Sequence, residues 1–281
     1  MDLRKPSIKF KVCVSLVTLL INFYCFFIFA NNYRAVYYPT APKADISHLF
    51  ENTTLTSSDY SLLLKQTGLG KPAVNDLLSK NDGKAKILDF QDSYYTRNKM
   101  YTEKLNPFTS QETLILNGSD NSSTFGMAPL RDGDILFTKS AQTLFWRHGH
   151  CGIVIDAEKG ITLESLQPGT ISMKQDISKW LYYPTLKVMR LKNADSKTID
   201  EILKYSEQRL QGIKYNIFAT KCYNDKTPGS ENCSLMVWQA FNRFGYNLDS
   251  NKGIFVTPED IAKSPLLETV QVKGFDPDKE W

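Results

Sequence analysis

The pattern of apolar and polar positions changes character twice along the chain. Val12 to Ala30 is uncharged and mostly apolar, interrupted by Ser15, Thr18 and Asn22. That length crosses a bilayer as a helix. Its apolar residues lie on all sides, which argues against the core helix of a soluble domain. Residues 31–60 are polar and mixed and read as a tether or a wrap-around segment. Apolar positions then return at helical spacing over 59–80, where Pro72 suits an early helical position. They do so again over 86–104, with Ile87, Phe90, Tyr94 and Tyr101 near one face. Gly118 to Gly126 is rich in Ser, Asn, Asp and Gly and reads as a loop and domain boundary.

Beyond that loop the period is that of strands. Asp134–Thr138, Gly152–Asp156, Ile161–Ser165 and Leu186–Leu191 read as buried strands, the middle two joined at a Glu-Lys-Gly turn. Residues 197–211 predict an amphipathic helix stopped by Gly212. A second helix starts at Asn232 and runs through Phe241 towards Gly245. A short third one starts at Thr257-Pro258. Strands backed by helices make an α+β fold. The predicted layout is a basic tail over 1–11, a membrane anchor over 12–30, a helical accessory region over 31–126 and a catalytic domain over 127–281.

Charge sharpens the reading of the N-terminus. The chain has 281 residues and a formal net charge of +4. Arg4, Lys5, Lys9 and Lys11 against Asp2 give the first eleven residues +3, so the remainder carries only +1. Nothing in so balanced a remainder, without a basic helix, points to nucleic acid. Basic residues before the apolar stretch place residues 1–11 in the cytoplasm and the rest outside. The expected location is the outer or periplasmic face of a bacterial cytoplasmic membrane. A cleaved signal peptide is the alternative, disfavoured because Ala30 follows bulky Ile28 and Phe29. Asn52, Asn117, Asn121 and Asn232 head glycosylation sequons.

The candidate chemistry centres on Cys233, in Asn232-Cys233-Ser234 at the first turn of the second helix. Unpaired N–H groups and the helix dipole favour a thiolate there. A packed small residue, or a disulfide with Cys222, is the plainer reading. A thiol hydrolase also needs a base and a group to orient it. His148 and His150 stand in Arg147-His148-Gly149-His150-Cys151-Gly152, with glycines that leave room for a backbone or a substrate. Glu164 lies on the partner strand and faces His150 if an unbulged hairpin is centred on Ala157. Cys151 points to the opposite strand face and reads as core. Zinc on His148, His150, Cys151 and a further cysteine is a rival, weakened because neighbouring strand residues face apart.

Several segments taken together resemble the permuted papain-like cysteine hydrolases of the NlpC superfamily, in particular the YiiX/YebB-like branch. They are Gly133–Phe137, His150–Val154, Leu163–Leu166, Gly212–Asn216, Asn232–Ser234 and Thr257–Asp260. The resemblance covers residues 127–270. It implies Cys233 as nucleophile, His150 as base and Glu164 as the orienting residue. Tyr215 would shape the pocket or help bind the oxyanion, and no metal or organic cofactor is implied. Leu235 and Asn216 stand where the family often has acidic residues, which bears on substrate choice. The implied activity is cleavage of amide bonds in cell-envelope peptides. Acyl transfer or deacylation of a lipid, or a non-catalytic binding module, are the alternatives.

Overall fold

A computed structural model describes residues 7–33, 36–51, 54–115, 126–143, 146–223 and 227–281. Arg4, Lys5, most of the loop expected at 118–126, and the sequons at Asn52, Asn117 and Asn121 lie outside the described residues.

Helix α1 (Ile8–Tyr33) starts earlier than the apolar stretch alone predicts, so Lys9 and Lys11 sit in its first turns. Its segment Ile8–Phe27 is long and apolar enough to cross a membrane and none of it is buried by the rest of the protein. The polar interruptions are satisfied internally. Thr18 Oγ1 donates to the Val14 carbonyl at 2.9 Å and Asn22 Nδ2 to the Thr18 carbonyl at 2.9 Å. Such backbone bonding lets polar side chains sit on a helix in hydrocarbon without orphaned donors.

The body is built on a six-stranded sheet. It contains β3 (Ile135–Thr138), β6 (His150–Asp156), β7 (Ile161–Glu164), β8 (Met173–Asp176), β9 (Leu186–Leu191) and β10 (Leu267–Lys273), in the order β10-β9-β3-β6-β7-β8. Every neighbouring pair is antiparallel. Alternate residues leave opposite faces, and here both faces are covered. Ile135, Phe137, Cys151 and Ile153 pack with α5 (Ser196–Tyr205), α6 (Cys233–Asn242) and α7 (Pro258–Ala262). Leu136, Val154, Val188 and Val270 pack with α2 (Ser57–Thr67), α3 (Lys71–Leu78) and α4 (Gly83–Tyr95). This double burial explains why the strands read as apolar runs rather than as alternation. Past α5 the chain continues as a wide π-helical turn over Ser206–Leu210, where an unbroken helix was expected.

The stretch expected to be helical up to residue 104 ends its helix at Tyr95. Met100–Lys104 is instead β1, paired with β2 (Thr109–Leu114). Asn106-Pro107 disfavours helix before the proline, and Asn106 Oδ1 accepts the N–H groups of Phe108 and Thr109 at 2.9 and 2.8 Å to set the turn. The accessory region thus contributes strands as well as helices. β2 pairs with β4 (Ala141–Thr143), and β4 with β5 (Trp146–Arg147), so this second sheet is shared between the two halves of the sequence.

A buried ion-pair network joins the helical layer to the large sheet. Arg190 on β9 donates from Nε and Nη2 to both oxygens of fully buried Asp134, at 2.7 and 2.8 Å, and from Nη1 to Asp76 on α3 at 3.2 Å. Removing the guanidinium strands a buried carboxylate. Arg190→Ala should therefore destabilise the protein by about 3–5 kcal/mol, read as a lowered urea midpoint of the detergent-solubilised chain.

Candidate active site

Cys233 is the first residue of α6. Asn232 caps that helix, its Oδ1 accepting the Leu235 N–H at 2.9 Å. The thiol is free, so no disulfide with Cys222 removes it, and it is almost wholly buried. The side chains of Cys151 and His150 both act on it, each favouring its ionised form. These two residues leave opposite faces of β6 but stand at its very start.

His150 Nε2 donates to Glu164 Oε2 at 2.6 Å. The other ring nitrogen, Nδ1, is thereby the one left to the thiol. Glu164 is not directly opposite His150, as an unbulged hairpin centred on Ala157 predicted. The turn over residues 157–160 is centred later, closed by the Lys159 N–H to Asp156 Oδ1 at 2.9 Å, with Gly160 at φ +66°. The pairing also slips between Val154 and Asp156, so Ile153 faces Leu163 and Glu164 falls opposite Gly152. The shift of two residues keeps the face, and Glu164 reaches His150 diagonally across Gly152. A Cβ on Gly152 would lie 2.7 Å from Glu164 Cγ. That glycine makes room for the carboxylate rather than for substrate. Gly149, at φ +79°, makes room for the Thr138 carbonyl, which a Cβ would meet at 2.7 Å.

Glu164 is fully buried and its charge is met from several sides. Oε1 accepts Thr162 Oγ1 at 2.5 Å and Trp180 Nε1 at 3.0 Å, and Oε2 also faces Lys179 Nζ at 2.8 Å. Trp180 and Lys179 come from a 3-10 turn, Ile177–Tyr182, capped by Asp176. The Trp180 ring stacks on His150 with centroids 5.5 Å apart and planes at 18°. Sequence reasoning missed Thr162, Lys179 and Trp180. The Asp176 cap marks their turn, but nothing in the pattern aims it at Glu164.

The electrostatics favour a charged pair. Burial raises the Glu164 carboxyl, but the His150 hydrogen bond and charge, with Lys179, hold it down at about 2. Burial alone would lower His150. Its hydrogen bonds to Cys233 and Glu164 outweigh that and lift it to about 9. The Cys233 thiol is pulled well below its ordinary value, first by the hydrogen bond from Cys151, against burial, and then by His150. Cys151 is itself raised by burial and by the neighbouring thiolate, so it stays protonated as a donor. It is core, as its strand position predicts, and it also touches the sulfur. A thiolate beside an imidazolium supplies a nucleophile and a proton in one place.

His148 stands aside. Its Nε2 lies 2.9 Å from Thr143 Oγ1 and its Nδ1 2.6 Å from the Gly149 carbonyl. Tyr215 lies between two cavities that meet at Cys233. Burial, then the Cys233 charge, raise its phenol, which keeps it a donor. One cavity, of about 380 Å³, is mixed in character and includes Leu105, Gln111, Gln167 and Lys179 in its lining. The other, of about 350 Å³, runs from Cys233 past Trp146, Ile217 and Phe218. Among the described residues no group of three or more His, Cys, Asp or Glu is placed to hold a metal ion.

Two predictions follow from this geometry. Gly152→Ala should push the carboxylate off His150 and move the inflection of Cys233 alkylation by iodoacetamide up by at least about one pH unit, one pKa unit of lost pairing. In the unaltered protein the thiolate–imidazolium pair exists from the depressed thiol pKa up to about 9. Alkylation should therefore be near its plateau already at pH 6, and His150→Ala should move its inflection up towards an ordinary thiol value near ~8.5. An inflection unmoved by His150→Ala would contradict the pairing.

No family model matches the chain. It is 26% identical over 166 residues to the uncharacterized protein YycO of Bacillus subtilis, a match covering 56% of this chain and 61% of that one. The chain thus spans about three fifths of that relative's length. Among solved structures it is similar to metalloprotein YiiX from Escherichia coli O157:H7, with 18% identity and a TM-score of 0.41, over 50% of this chain and 97% of that one. The chain is similar to YycO and to YiiX, and YiiX gives its name to the branch whose motifs this sequence resembles.

Proposed function

We propose that the protein is a membrane-anchored, extracytoplasmic thiol hydrolase with a permuted papain-like catalytic domain. The observation that carries this reading is the chain of contacts from Cys233 through His150 to Glu164, buried in the order nucleophile, base, orienting carboxylate. The Cys233 thiolate attacks a carbonyl carbon. The Cys233 backbone N–H, one of those a helix start leaves without an intrahelical partner, faces the developing oxyanion, with the Tyr215 hydroxyl as a second donor. His150 gives its proton to the departing amine or alcohol, and a thioester remains on the sulfur. Water then attacks, His150 takes its proton, and the C–S bond breaks to restore the thiolate. Glu164 holds the Nε2–H side of the ring throughout, so that Nδ1 faces the sulfur.

The α1 helix keeps the site beside the bilayer, with the body on the outer face as the basic tail implies. YiiX is described as a metalloprotein. Among the described residues no group of three or more His, Cys, Asp or Glu is gathered to hold a metal ion here. The bond cleaved is an amide, as in a cell-envelope peptide, or the ester or amide of an acyl lipid. The apolar cavity at Cys233 favours the second.

Cys233→Ala and His150→Ala should each lower turnover by at least about 10³-fold, as loss of a nucleophile or base does. Glu164→Gln should cost about 10²–10⁴-fold. His148→Ala should cost less than about tenfold, because no proton passes through it. Hydrolysis of an activated ester by each purified variant measures all four. A Cys233→Ala protein of unchanged activity would end the proposal.

A further inference from the structure

Glu231 stands two residues before the nucleophile and is fully buried, yet neither of its carboxyl oxygens has a hydrogen-bond partner among the described residues. The mechanism above makes no use of it. A buried carboxyl left unpaired so close to the reacting sulfur calls for a physical reason.

Its main chain ties two parts of the site together. The Glu231 N–H donates to the Lys214 carbonyl at 3.0 Å, and the Glu231 carbonyl accepts the Asn216 N–H at 2.7 Å. Tyr215 thus lies between two bonds to the residue that leads into Asn232 and Cys233. The same segment is held from its other side. The Tyr215 N–H donates to the Thr170 carbonyl at 3.0 Å, and the Ser172 N–H to the Ile213 carbonyl at 2.9 Å. Residues 170–172, 212–216 and 231 therefore form a three-layered ribbon that ends at the start of α6.

Ser172 carries the side chain placed to act on Glu231. A proton from Ser172 Oγ would lower the carboxyl, but that proton is committed elsewhere. Oγ donates to the Leu210 carbonyl at 2.5 Å and accepts the Ile213 N–H at 2.9 Å. A hydroxyl has one proton and two lone pairs, so Ser172 can accept one more bond and donate none. A carboxylate at Glu231 would find no donor there, whereas a carboxylic acid finds an acceptor. Burial acts in the same direction and lifts the carboxyl to about 8. The titratable groups on the elements around it are Lys174 on β8, Glu207 and Arg209 on the π-helical turn, Lys214 and Tyr215 on the bridged segment and Cys233 on α6. Lys174 and Glu207 pair with each other at 2.6 Å. None of the six adds to what burial does to Glu231.

We propose that Glu231 is a positioning residue that works as a neutral acid, its carboxyl proton bonded to Ser172 Oγ, and that loss of this proton in alkali loosens the ribbon aligning Tyr215 with Cys233. The inference rests on the thiol-hydrolase reading above and adds to it an alkaline limit set outside the triad. Once ionised, the carboxylate faces serine lone pairs without a counter-charge, so the ribbon must open to admit water.

The test follows kcat/KM of the detergent-solubilised full chain on p-nitrophenyl acetate from about pH 5 to about pH 10, with urea midpoints alongside. In the unaltered protein kcat/KM should fall with an inflection near 8, below the value of about 9 at which His150 loses its proton. Glu231→Gln, whose amide donates to Ser172 as the acid does, should keep the plateau and move the inflection up to about 9. Glu231→Ala leaves the acceptor open and should lower the plateau about fivefold, the effect of one buried hydrogen bond. Stability gives a second readout. The unfolded chain ionises this carboxyl near 4.5 and the folded chain near 8. The contribution of the neutral acid is therefore full below 4.5 and is lost as pH rises to 8. Relative to the unaltered protein, the urea midpoint of Glu231→Gln should rise across that window and then keep a constant lead. An alkaline inflection that Glu231→Gln leaves unmoved overturns the positioning role and leaves the hydrolase reading standing, and so does a midpoint difference that does not change with pH. Inert Cys233, with turnover unaffected by Cys233→Ala, overturns both readings.

Discussion

A single buried charge organises the site. Glu164 is fully buried, and an ion removed from water costs several kcal/mol unless it is paired and its lone pairs are filled. Four side chains from three segments meet that demand: His150, Thr162, Lys179 and Trp180. Each of their positions is then dictated by the carboxylate. The 3-10 turn must fold over the end of the sheet so that the indole reaches Oε1, and in doing so it stacks the same indole on the imidazole. Gly152 must lack a side chain, because the carboxylate's stem occupies that space. The arrangement that makes Glu164 affordable is also the one that fixes the His150 ring.

On the nucleophile's side the magnitudes decide which effect matters. A helix N-terminus contributes about 0.3–1 kcal/mol to a nearby anion, less than the 1.36 kcal/mol of one pKa unit. Burial of Cys233 works against ionisation. The helix start therefore cannot account for a well-depressed thiol by itself. The hydrogen bond from Cys151 and the imidazolium of His150 must supply the difference, and the latter stays charged only because Glu164 lies behind it. The thiolate thus depends on a carboxylate it never touches.

Much of this was legible in the sequence. The N-caps at Asn232 and Thr257, and the strands at Ile135, His150, Ile161 and Leu186, stand where local chemistry and apolar runs put them. So does the apolar N-terminal helix. The pairing of His150 with Glu164 was reached through a hairpin register two residues out, and the conclusion survived because a shift of two preserves the strand face. Elements whose position depends on distant partners were not legible. β1 carries Tyr101 in phase with a helix, and its pairing with β2 overrides that phase. The turn bearing Lys179 and Trp180 has a local mark in its Asp176 cap, but nothing local aims it at a carboxylate on another strand.

The cleft at Cys233 has walls from widely separated parts of the chain. Leu105 and Gln111, from the β1–β2 hairpin, line one cavity, while Phe218 and Phe255 line the other, and Cys233 stands where they meet. A thiolate at such a junction has different surroundings on its two sides. One side carries the Gln111 and Gln167 amides and the Lys179 ammonium among apolar residues, the other the rings of Trp146, Phe218 and Phe255. Exposed Phe218, Ile254 and Phe255 would be a liability on a freely diffusing protein, where apolar patches invite aggregation. Under the membrane anchoring proposed above, the same residues would face an apolar phase. On that proposal an anchor and the open aromatic wall would account for each other: exposed rings unfavourable in water become favourable beside hydrocarbon.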